Sequence, residues 1–356
     1  MNILAINPGS TSTKIGIYEV ENGQLKLVAK ETITHSTGEL SQFNDVNDQI
    51  DYRANLIKQA VTNAGLTLAD IDGFVGRGGL VRSLESGVYE VNDSLINDLK
   101  VGVQGKHAAN LAGQIAHALA KTQGKTAYIA DPEVTDELAP VARISGHPKL
   151  ERRSLFHALN QKAIARRYAK EHGKRYEDTN VIVAHLGGGV SVGAHLRGRV
   201  IDVNDALDGD GPFSPERTGN VPSGQLVDLC FSGDYTHDEV KRMLVPGGGY
   251  VAYFGTNNAQ QIADEAKTDP KKALVQDAMA YQVAKYIGAM AAALHGQVDA
   301  ILLTGGIVHS ETIANAIKDR VSFIAPVITY PGEDELLALA SAAQRVLQGE
   351  ETVKQY

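Results

Sequence analysis

The length, composition and charge of the sequence describe an ordinary globular protein and exclude several classes. Its 356 residues are more than one hydrophobic core usually holds, so two domains are expected. Hydrophobic residues make up 43% and charged residues 21%, proportions that exclude a disordered chain. The formal net charge is −8 and Lys and Arg form no large cluster, which argues against a nucleic-acid partner.

The sequence shows no pattern of a membrane span or a secretory signal, and it contains a single cysteine. No apolar run is long enough for a membrane span, and the N-terminus begins a strand without the pattern of a secretory signal. The single cysteine, Cys230, can form neither an intrachain disulfide nor a Cys-based zinc site. We therefore expect a cytoplasmic enzyme or binding protein.

The first stretch of the chain has the pattern of two strands joined by a polar turn. An apolar run at residues 3–6 stops at the turn, and an alternating run resumes with Ile15 and Ile17. Gly9 lets the backbone approach a ligand closely, the Ser and Thr hydroxyls of the turn donate hydrogen bonds, and Lys14 adds positive charge. The turn suits a phosphate group, although an ordinary solvated hairpin has the same pattern.

The rest of the first part alternates helices and strands. We predict a strand at 25–33, a helix at 46–64, a strand at 74–75, a helix at 107–121 and a strand at 126–130. The first part therefore has the order βββ, α, β, α, β.

The second part repeats this order. A long basic helix is predicted at 150–172. Strands are predicted at 181–185, 190–194 and 200–203, a polar loop at 205–225, a long helix from 270 to about 295, a strand at 300–304, a helix at 310–318, a strand at 323–328 and a closing helix at 335–347. A Gly-rich tip at 187–189 again follows the first strand.

Three motifs carry a resemblance to a known family. Residues 7–14 (Asn-Pro-Gly-Ser-Thr-Ser-Thr-Lys) and 185–191 (His-Leu-Gly-Gly-Gly-Val-Ser) are similar to the two phosphate motifs of the acetokinase family. Residues 303–307 (Leu-Thr-Gly-Gly-Ile) are similar to its adenosine motif. The resemblance covers essentially the whole chain. It places the chain in the superfamily of actin, the sugar kinases and the Hsp70 ATPases.

The resemblance implies an α/β protein with the two-domain ribonuclease H-like, or actin-like ATPase, fold. Such a protein has a duplicated βββαβαβα core and a central cleft. Domain I would comprise residues 1–150 plus 335–356, and domain II, which binds the nucleotide, residues 151–334. The two hairpin tips would hold a polyphosphate from both sides of the cleft. The resemblance also implies a homodimer or a higher homo-oligomer.

The implied activity is the reversible transfer of a phosphoryl group between ATP and a small carboxylic acid, with ADP and Mg²⁺. A carboxylate is already an anion at neutral pH, so such a site needs charge neutralisation, in-line placement and a metal ion rather than a general base. By resemblance, the nucleotide would be bound by Asn7, Ser10, Ser12, Lys14, Gly187, Gly188, Gly189, Gly305, Gly306 and Ile307.

Three arginines are candidates for charge neutralisation. Arg77, in a Gly-Arg-Gly-Gly run directly after a predicted strand, is suited to a two-point contact with the substrate carboxylate. Arg82 follows closely and could serve instead. Arg217 lies in the polar loop and matches a family arginine that stabilises the transferring phosphoryl group. A local contact with Glu216 is the alternative from sequence alone.

The candidate histidines are weighed by position and by resemblance. His157 and His185 match family histidines that contact the transferring phosphoryl group, and His107 matches one near the substrate. The residue pattern alone favours a half-buried helix position for His157, whereas His185 at a strand end is better placed for a site. His117 and His195 are expected to be structural. No histidine pair has zinc-site spacing.

Carboxylates near predicted strand ends are candidates to organise Mg²⁺. Asp131 ends one strand, and Glu333 and Asp334 follow Pro331-Gly332, with Asn7 as a further oxygen ligand. Asp131 could equally cap a turn, and Asp334 or Glu335 could cap the closing helix. The family glutamate matches either Glu333 or Asp334.

Departures from the acetate kinase pattern favour a different acid. Gln161 stands where acetate kinases carry a second histidine, Gly188 stands where they carry asparagine, and the chain is shorter. Butyrate is the expected acid, with branched-chain acids, propionate or acetate as alternatives. A sugar kinase, with Asp202 or Asp208 as base, and a non-catalytic ATPase module remain alternatives within the superfamily.

Overall fold

A computed structural model describes residues 1–207 and 209–356, so Asp208 lies outside the described residues. The chain divides into two compact units, Met1–Thr135 with Asp334–Tyr356 and Asp136–Glu333. The first stretch of the first unit ends at Thr135, whereas the sequence predicted that domain I would extend to residue 150. The cleft between the domains stays a prediction. Among the described residues, no helix combines the length and apolar character that crossing a membrane requires.

The strands carry the two hairpin tips that the motifs predicted. They are β1 (Asn2–Pro8), β2 (Ser12–Glu21), β3 (Gln24–Thr34), β4 (Gly73–Arg77), β5 (Val88–Glu90), β6 (Ala127–Ala130), β7 (Asn180–Leu186), β8 (Val190–Leu196), β9 (Arg199–Val203), β10 (Ala300–Gly305) and β11 (Val327–Pro331).

The helices pack on these strands within each unit. They are α1 (Thr37–Leu40), α2 (Ile50–Asn63), α3 (Asp93–Val101), α4 (Leu111–Lys121), α5 (Pro140–Arg143), α6 (Ala158–Glu171), α7 (Ser223–Cys230), α8 (His237–Leu244), α9 (Gly249–Phe254), α10 (Ala259–Glu265), α11 (Pro270–Ala293), α12 (Glu311–Val321) and α13 (Glu335–Leu347).

Five strands of each sheet share one topology, and the first sheet has an additional edge strand, β5, antiparallel to β6. The order is β3-β2-β1-β4-β6-β5 in the first unit and β9-β8-β7-β10-β11 in the second. In each, the first three strands pair antiparallel, and the first strand then pairs parallel with the next strand inward. The duplicated core predicted from the recurring pattern is confirmed. It places the β1–β2 and β7–β8 turns at equivalent positions in the two sheets.

The central strands are apolar on both faces because helices cover both sides. In β1, residues 3–6 are all fully buried, which is why they form an uninterrupted apolar run. In the second unit, α11 packs against β8 through Met279, Val283 and Ile287, which recur at the spacing of one helix face. Because the sheets are packed on both faces, the ends of their strands, and the turns that follow them, are held in fixed positions within each unit.

Some predicted boundaries differ from the structure. The helix predicted at 107–121 begins at Leu111, after a short 3₁₀ turn. The helix predicted at 150–172 begins only at Ala158, because the preceding segment bonds to β9 and the loop after it: Ala206 donates to the carbonyl of Leu155 (2.8 Å), and Arg152 donates to Asp202 (2.9 Å). The strand predicted at 323–328 begins only at Val327, since Phe323 lies in the turn after α12 and is 85% exposed.

His195 lies in a fully satisfied polar network inside the second unit. Its Nε2–H donates to Oε1 of Gln161 (2.9 Å), and its Nδ1 accepts from the hydroxyl of Tyr176 (2.7 Å). Gln161 in turn donates to Oγ of Ser191 (2.8 Å). Burial lowers the pKa of His195 well below its usual value, and the charge of Lys162 acts in the same direction. The network therefore holds a neutral imidazole, in agreement with the structural role expected for His195.

We predict that acid destabilises the fold through His195. Its folded pKa lies below the unfolded value of about 6.5, so its contribution to stability is complete above that pH and is lost as the pH falls. In His195→Gln, the slope of unfolding free energy against pH should decrease by up to one proton, about 1.4 kcal/mol per pH unit. Urea titrations from about pH 7 down to pH 5 measure this slope. Equal slopes in the two proteins would contradict the assignment.

Candidate active site

The β1–β2 turn presents small polar side chains. The amide of Gly9 donates to the carbonyl of Ser12 (2.7 Å), which closes the turn. Ser10 and Lys14 are exposed and Ser12 is half-buried. Asn7 is the cross-strand neighbour of Lys14, at the end of β1. The turn thus offers hydroxyl donors, backbone amides and one positive charge.

Arg77 ends β4 between two carboxylates. Its Nη2 lies 2.5 Å from Oε1 of Glu133, and its Nη1 lies 2.9 Å from Oε1 of Glu335. The side-chain amide of Asn7 donates to the other oxygen of Glu335. The structure thus brings Asn7, Arg77 and Glu335 together. Glu335 had been considered only as a helix cap.

Arg82 is engaged in a different cluster. Its Nε donates to Asp98 (2.5 Å), and its guanidinium lies over the ring of Tyr356, 5.5 Å from the centroid. The hydroxyl of Tyr356 also donates to Asp98 (2.7 Å). These contacts tie the 80s loop to the C-terminal residues, a role that needs no substrate.

Asp131, His107 and Asp334 all make local contacts. Asp131 has a φ of +38°, and its Oδ1 accepts from the hydroxyl of Ser86 (2.6 Å) and the amide of Gly87 (2.9 Å). Nδ1 of His107 accepts from a backbone amide at the start of the turn before α4 (3.2 Å). Asp334 caps α13 by accepting from the amide three residues later (3.2 Å).

In the second unit, His157, His185 and Glu333 converge. Nε2 of His157 lies 3.4 Å from Oε2 of Glu333, and Nε2 of His185 lies 3.6 Å from the same oxygen. The two imidazole rings are 4.5 Å apart. These residues are 28 and 148 positions apart in the chain, so no spacing rule could group them. The three donor atoms lie close enough together to contact one cation.

The hydrogen bonds to Asn160 set different tautomers in the two histidines. Nδ1 of His157 accepts from the amide of Asn160 (3.4 Å), which leaves the proton of the neutral ring on Nε2. Nδ1 of His185 donates to Oδ1 of Asn160 (2.8 Å), so Nε2 of its neutral ring is an acceptor. A metal ion would need both Nε2 atoms unprotonated, and the tautomer of His157 does not meet this condition. Mg²⁺ also prefers oxygen ligands.

The β7–β8 turn is packed against Arg217. The amide of Gly187 donates to the carbonyl of Gly189 (2.9 Å), and the carbonyl of Gly188 accepts from the hydroxyl of Ser214 (2.5 Å). Nη1 of Arg217 donates to the carbonyl of Ala206 (2.6 Å), and its Nε–H has no partner among the described residues. Burial lowers the pKa of Arg217, and the nearby carboxylates of Glu216 and Asp205 act in the opposite direction.

A cavity of about 270 Å³ joins the two segments of the second unit that resemble phosphate and adenosine motifs. Gly187 and Gly188 line it from the β7–β8 turn, and Gly306 and Ile307 line it from the turn after β10. Gly305 turns the chain at this point with a φ of +97°, where a Cβ would clash with the carbonyl of Leu186. The remaining lining residues include Glu216, Asn257, Gln260, Ser310, Ile313 and Glu333.

Most of the added lining residues had not been identified from the sequence. Asn257 and Gln260 come from the turn before α10 and from α10 itself, an element that was not predicted. Asn257 donates to the carboxylate of Glu216 (3.0 Å), which places a paired carboxylate beside the glycine turn. An amide and a carboxylate at a cavity wall are suited to base and ribose contacts.

Comparisons with known proteins identify the family and the fold. The acetokinase family model matches residues 142–327. Butyrate kinase 1 and butyrate kinase 2 of Clostridium acetobutylicum are 54% and 52% identical over 355 residues, 99% of each chain. The crystal structure of Porphyromonas gingivalis acetate kinase has a TM-score of 0.77 at 20% identity, over 97% of this chain and 99% of that one. The actin-like ATPase fold is therefore confirmed, and the chain belongs to the acetokinase family.

Proposed function

We propose that the protein is an ATP-dependent carboxylate kinase with butyrate as its acid. A carboxylate oxygen attacks the γ-phosphorus, the bond from that phosphorus to the β,γ-bridging oxygen breaks, and ADP leaves. The acyl phosphate is the other product, and the reverse reaction makes ATP. Membership of the acetokinase family and full-length relatives named butyrate kinase support this proposal.

The observation that carries the proposal is the shared cavity of the second unit. It joins a glycine turn suited to phosphates with a second glycine turn, amides and apolar side chains suited to a nucleoside. His157, His185 and Glu333 group at this cavity, which Glu333 lines. A nucleotide bound with its phosphates at Gly187–Gly189 would have Nε2–H of His157 as a donor within the same unit, with the ring of His185 beside it.

Arg217 would stabilise the phosphoryl group during transfer. Its guanidinium is largely buried, lies behind Gly189 and is anchored at one nitrogen by the carbonyl of Ala206. A fixed positive charge in a poorly hydrated position interacts strongly with charge that develops during the reaction. We assign the in-line stabilising role to Arg217 and hydrogen bonding of the phosphoryl oxygens to His157 and His185.

In the first unit, Arg77 would bind the acid and nearby oxygens would hold Mg²⁺. Arg77 is held by Glu133 and Glu335, so the substrate carboxylate would replace one of these contacts. The oxygen ligands of Asn7, Asp131 and Glu335 suit a hard cation, and Asp334 is occupied as a helix cap. When bound, Mg²⁺ would neutralise phosphate charge. ATP would also contact Ser10, Ser12 and Lys14.

We also propose a homodimer or a higher homo-oligomer, on the resemblance to the acetokinases. The exposed apolar residues Val227 and Phe231 follow one another at helical spacing along α7 and its end, and provide a surface such contact could cover. Light scattering of the purified protein gives its mass directly; a mass of 38.0 kDa would contradict this proposal.

We predict that the protein forms an acyl phosphate from butyrate. With ATP, Mg²⁺, butyrate and hydroxylamine, the trapped hydroxamate should accumulate in step with ADP, and turnover should be greatest for butyrate among acetate, propionate, butyrate and isobutyrate. ADP formed with sugars but without hydroxamate would favour the sugar kinase. ADP formation that is indifferent to any acid would favour the ATPase module.

We predict that Arg77, and not Arg82, holds the carboxylate. Arg77→Ala should raise the KM for the acid about 10- to 100-fold, the loss expected for charge-assisted hydrogen bonds, and leave the KM for ATP nearly unchanged. Arg82→Ala breaks the contact with Asp98 and should lower the thermal midpoint without that change in KM. Steady-state kinetics and thermal melts of both variants decide the question. The reverse pattern would transfer the role to Arg82.

We predict that Gly189→Ala inactivates the enzyme without unfolding it. A Cβ there would lie 3.0 Å from Cζ of Arg217 and closer still to Nη1, so the guanidinium must move. Turnover should fall about 10²- to 10³-fold, as for loss of a transition-state contact, with a thermal midpoint close to the parent's. Gly288→Ala, where a Cβ meets nothing within 4 Å, is the matched control. Near-parental turnover in Gly189→Ala would show that the position of Arg217 is unimportant.

A further inference from the structure

A buried arginine lies directly behind the β1–β2 turn. Arg53, on α2, has 0% of its surface exposed and is among the largest fully buried side chains of the described residues. Its Nη1 donates to the carbonyls of Gly9 (3.0 Å) and Ser12 (3.0 Å), and its Nη2 donates to the carbonyl of Ser10 (3.2 Å). Gln49, one helical turn earlier, holds the same guanidinium by accepting from Nε (3.1 Å) and Nη2 (2.8 Å).

Together with one backbone amide, Arg53 binds every carbonyl of the turn. The carbonyls of Gly9, Ser10 and Ser12 accept from its guanidinium, and the carbonyl of Thr11 accepts from the amide of His35 (2.9 Å). The four carbonyl groups of the turn are therefore all engaged by donors from Arg53 and from the backbone of His35. No hydrogen bond is formed by the amides of Ser10 and Thr11 within residues 1–207 and 209–356.

Thr13 extends this support to His35. Its Oγ1 accepts from Nη1 of Arg53 (2.9 Å) and forms a second hydrogen bond with Nε2 of His35 (2.8 Å). Burial, followed by the charge of Arg53, lowers the pKa of His35, which favours the neutral ring. A neutral His35 adds no second positive charge behind the turn and keeps Thr13 fixed.

The charge of Arg53 is not matched by a carboxylate hydrogen bond. Its acceptors in the described residues are three carbonyls, one hydroxyl and one carboxamide. Burial lowers the pKa of Arg53, yet an arginine keeps its proton at any physiological pH. A full positive charge is therefore stored a few ångströms behind the unpaired amides, where screening by water is weak.

We propose that Arg53 is a positioning residue that shapes the β1–β2 turn into a receptor for the terminal phosphates of the nucleotide. It draws the carbonyl oxygens away from the ligand, leaves amides and hydroxyls for the phosphate oxygens, and adds a favourable potential. This inference rests on the proposed role of the turn in phosphate binding. It adds a residue of α2 that the three motifs do not contain.

The experiment compares ligands that differ only in phosphate number. Calorimetric titrations of ATP, ADP, AMP and adenosine are made with the parent, Arg53→Met and Arg53→Lys. In Arg53→Met the affinity for ATP should fall about 10- to 100-fold, as for charge-assisted hydrogen bonds, and the affinity for adenosine should change less than about twofold. Arg53→Lys keeps the positive charge but has fewer hydrogen-bond donors, so its affinity for ATP should lie between those of the parent and Arg53→Met.

Two further variants keep the result interpretable. Gln49→Ala loosens the guanidinium without removing it, so it should produce the same ATP-selective loss in a smaller degree even if Arg53→Met fails to fold. Lys162→Met removes another fully buried cation, one paired with Glu137 (2.8 Å) in the second unit. It should lower the thermal midpoint and leave the ratio of ATP to adenosine affinity unchanged.

The outcomes separate this inference from the proposed function. Equal weakening of all four ligands in Arg53→Met, or an unchanged affinity ratio in Gln49→Ala, would overturn the positioning role. If the parent itself bound ATP no more tightly than adenosine, or formed no hydroxamate from any acid, the proposed function would fail instead.

Discussion

The proposed function depends on one constraint, the need to hold concentrated negative charge with backbone turns. A triphosphate and a carboxylate repel each other, so donors must be fixed before they meet. Each sheet has a turn after its first strand, at the same topological position, that would meet part of this need. Behind or beside each turn lies an arginine that donates to backbone carbonyls, Arg53 in the first unit and Arg217 in the second.

The arginines differ in how their charge is balanced. Arg77 is paired with Glu133 and Glu335, so under the proposed function it would exchange one carboxylate for another when an acid binds. Arg53 donates instead to neutral acceptors only, and Arg217 donates to a carbonyl with the carboxylates of Glu216 and Asp205 nearby. The arrangement at Arg77 suits a substrate that is exchanged in each turnover, and the arrangement at Arg53 suits a preformed phosphate site.

The sequence predicted the turns and the duplicated core because both are local patterns. Apolar runs that stop at glycine show strand ends directly, and the two halves repeat them in order. Arg53 was missed, although a signal exists: it follows Ile50 by three residues and precedes Ile57 by four, so it falls on the apolar face of α2. An arginine in such a position must find acceptors inside the protein, but only the fold shows that these are the carbonyls of residues 9–12.

The run Glu333-Asp334-Glu335 shows what spacing cannot resolve. Glu333 groups with His157 and His185, Asp334 caps α13, and Glu335 joins Asn7 and Arg77. Three adjacent carboxylates point to three different tasks because the chain passes there from one unit to the other and enters a helix. A sequence match uncertain by one residue therefore leaves the metal-binding carboxylate undetermined.

Gln161, whose difference from the histidine of acetate kinases favoured butyrate over acetate, lies in an internal polar network. Its carboxamide is fully buried and bonds to Ser191 and His195, both on β8, so it has no open face toward a substrate. Replacing it by histidine would first disturb this network, and any effect on the acid would pass through β8. Gln161 therefore supports β8 and the turn that leads into it, and its influence on the acid would be indirect.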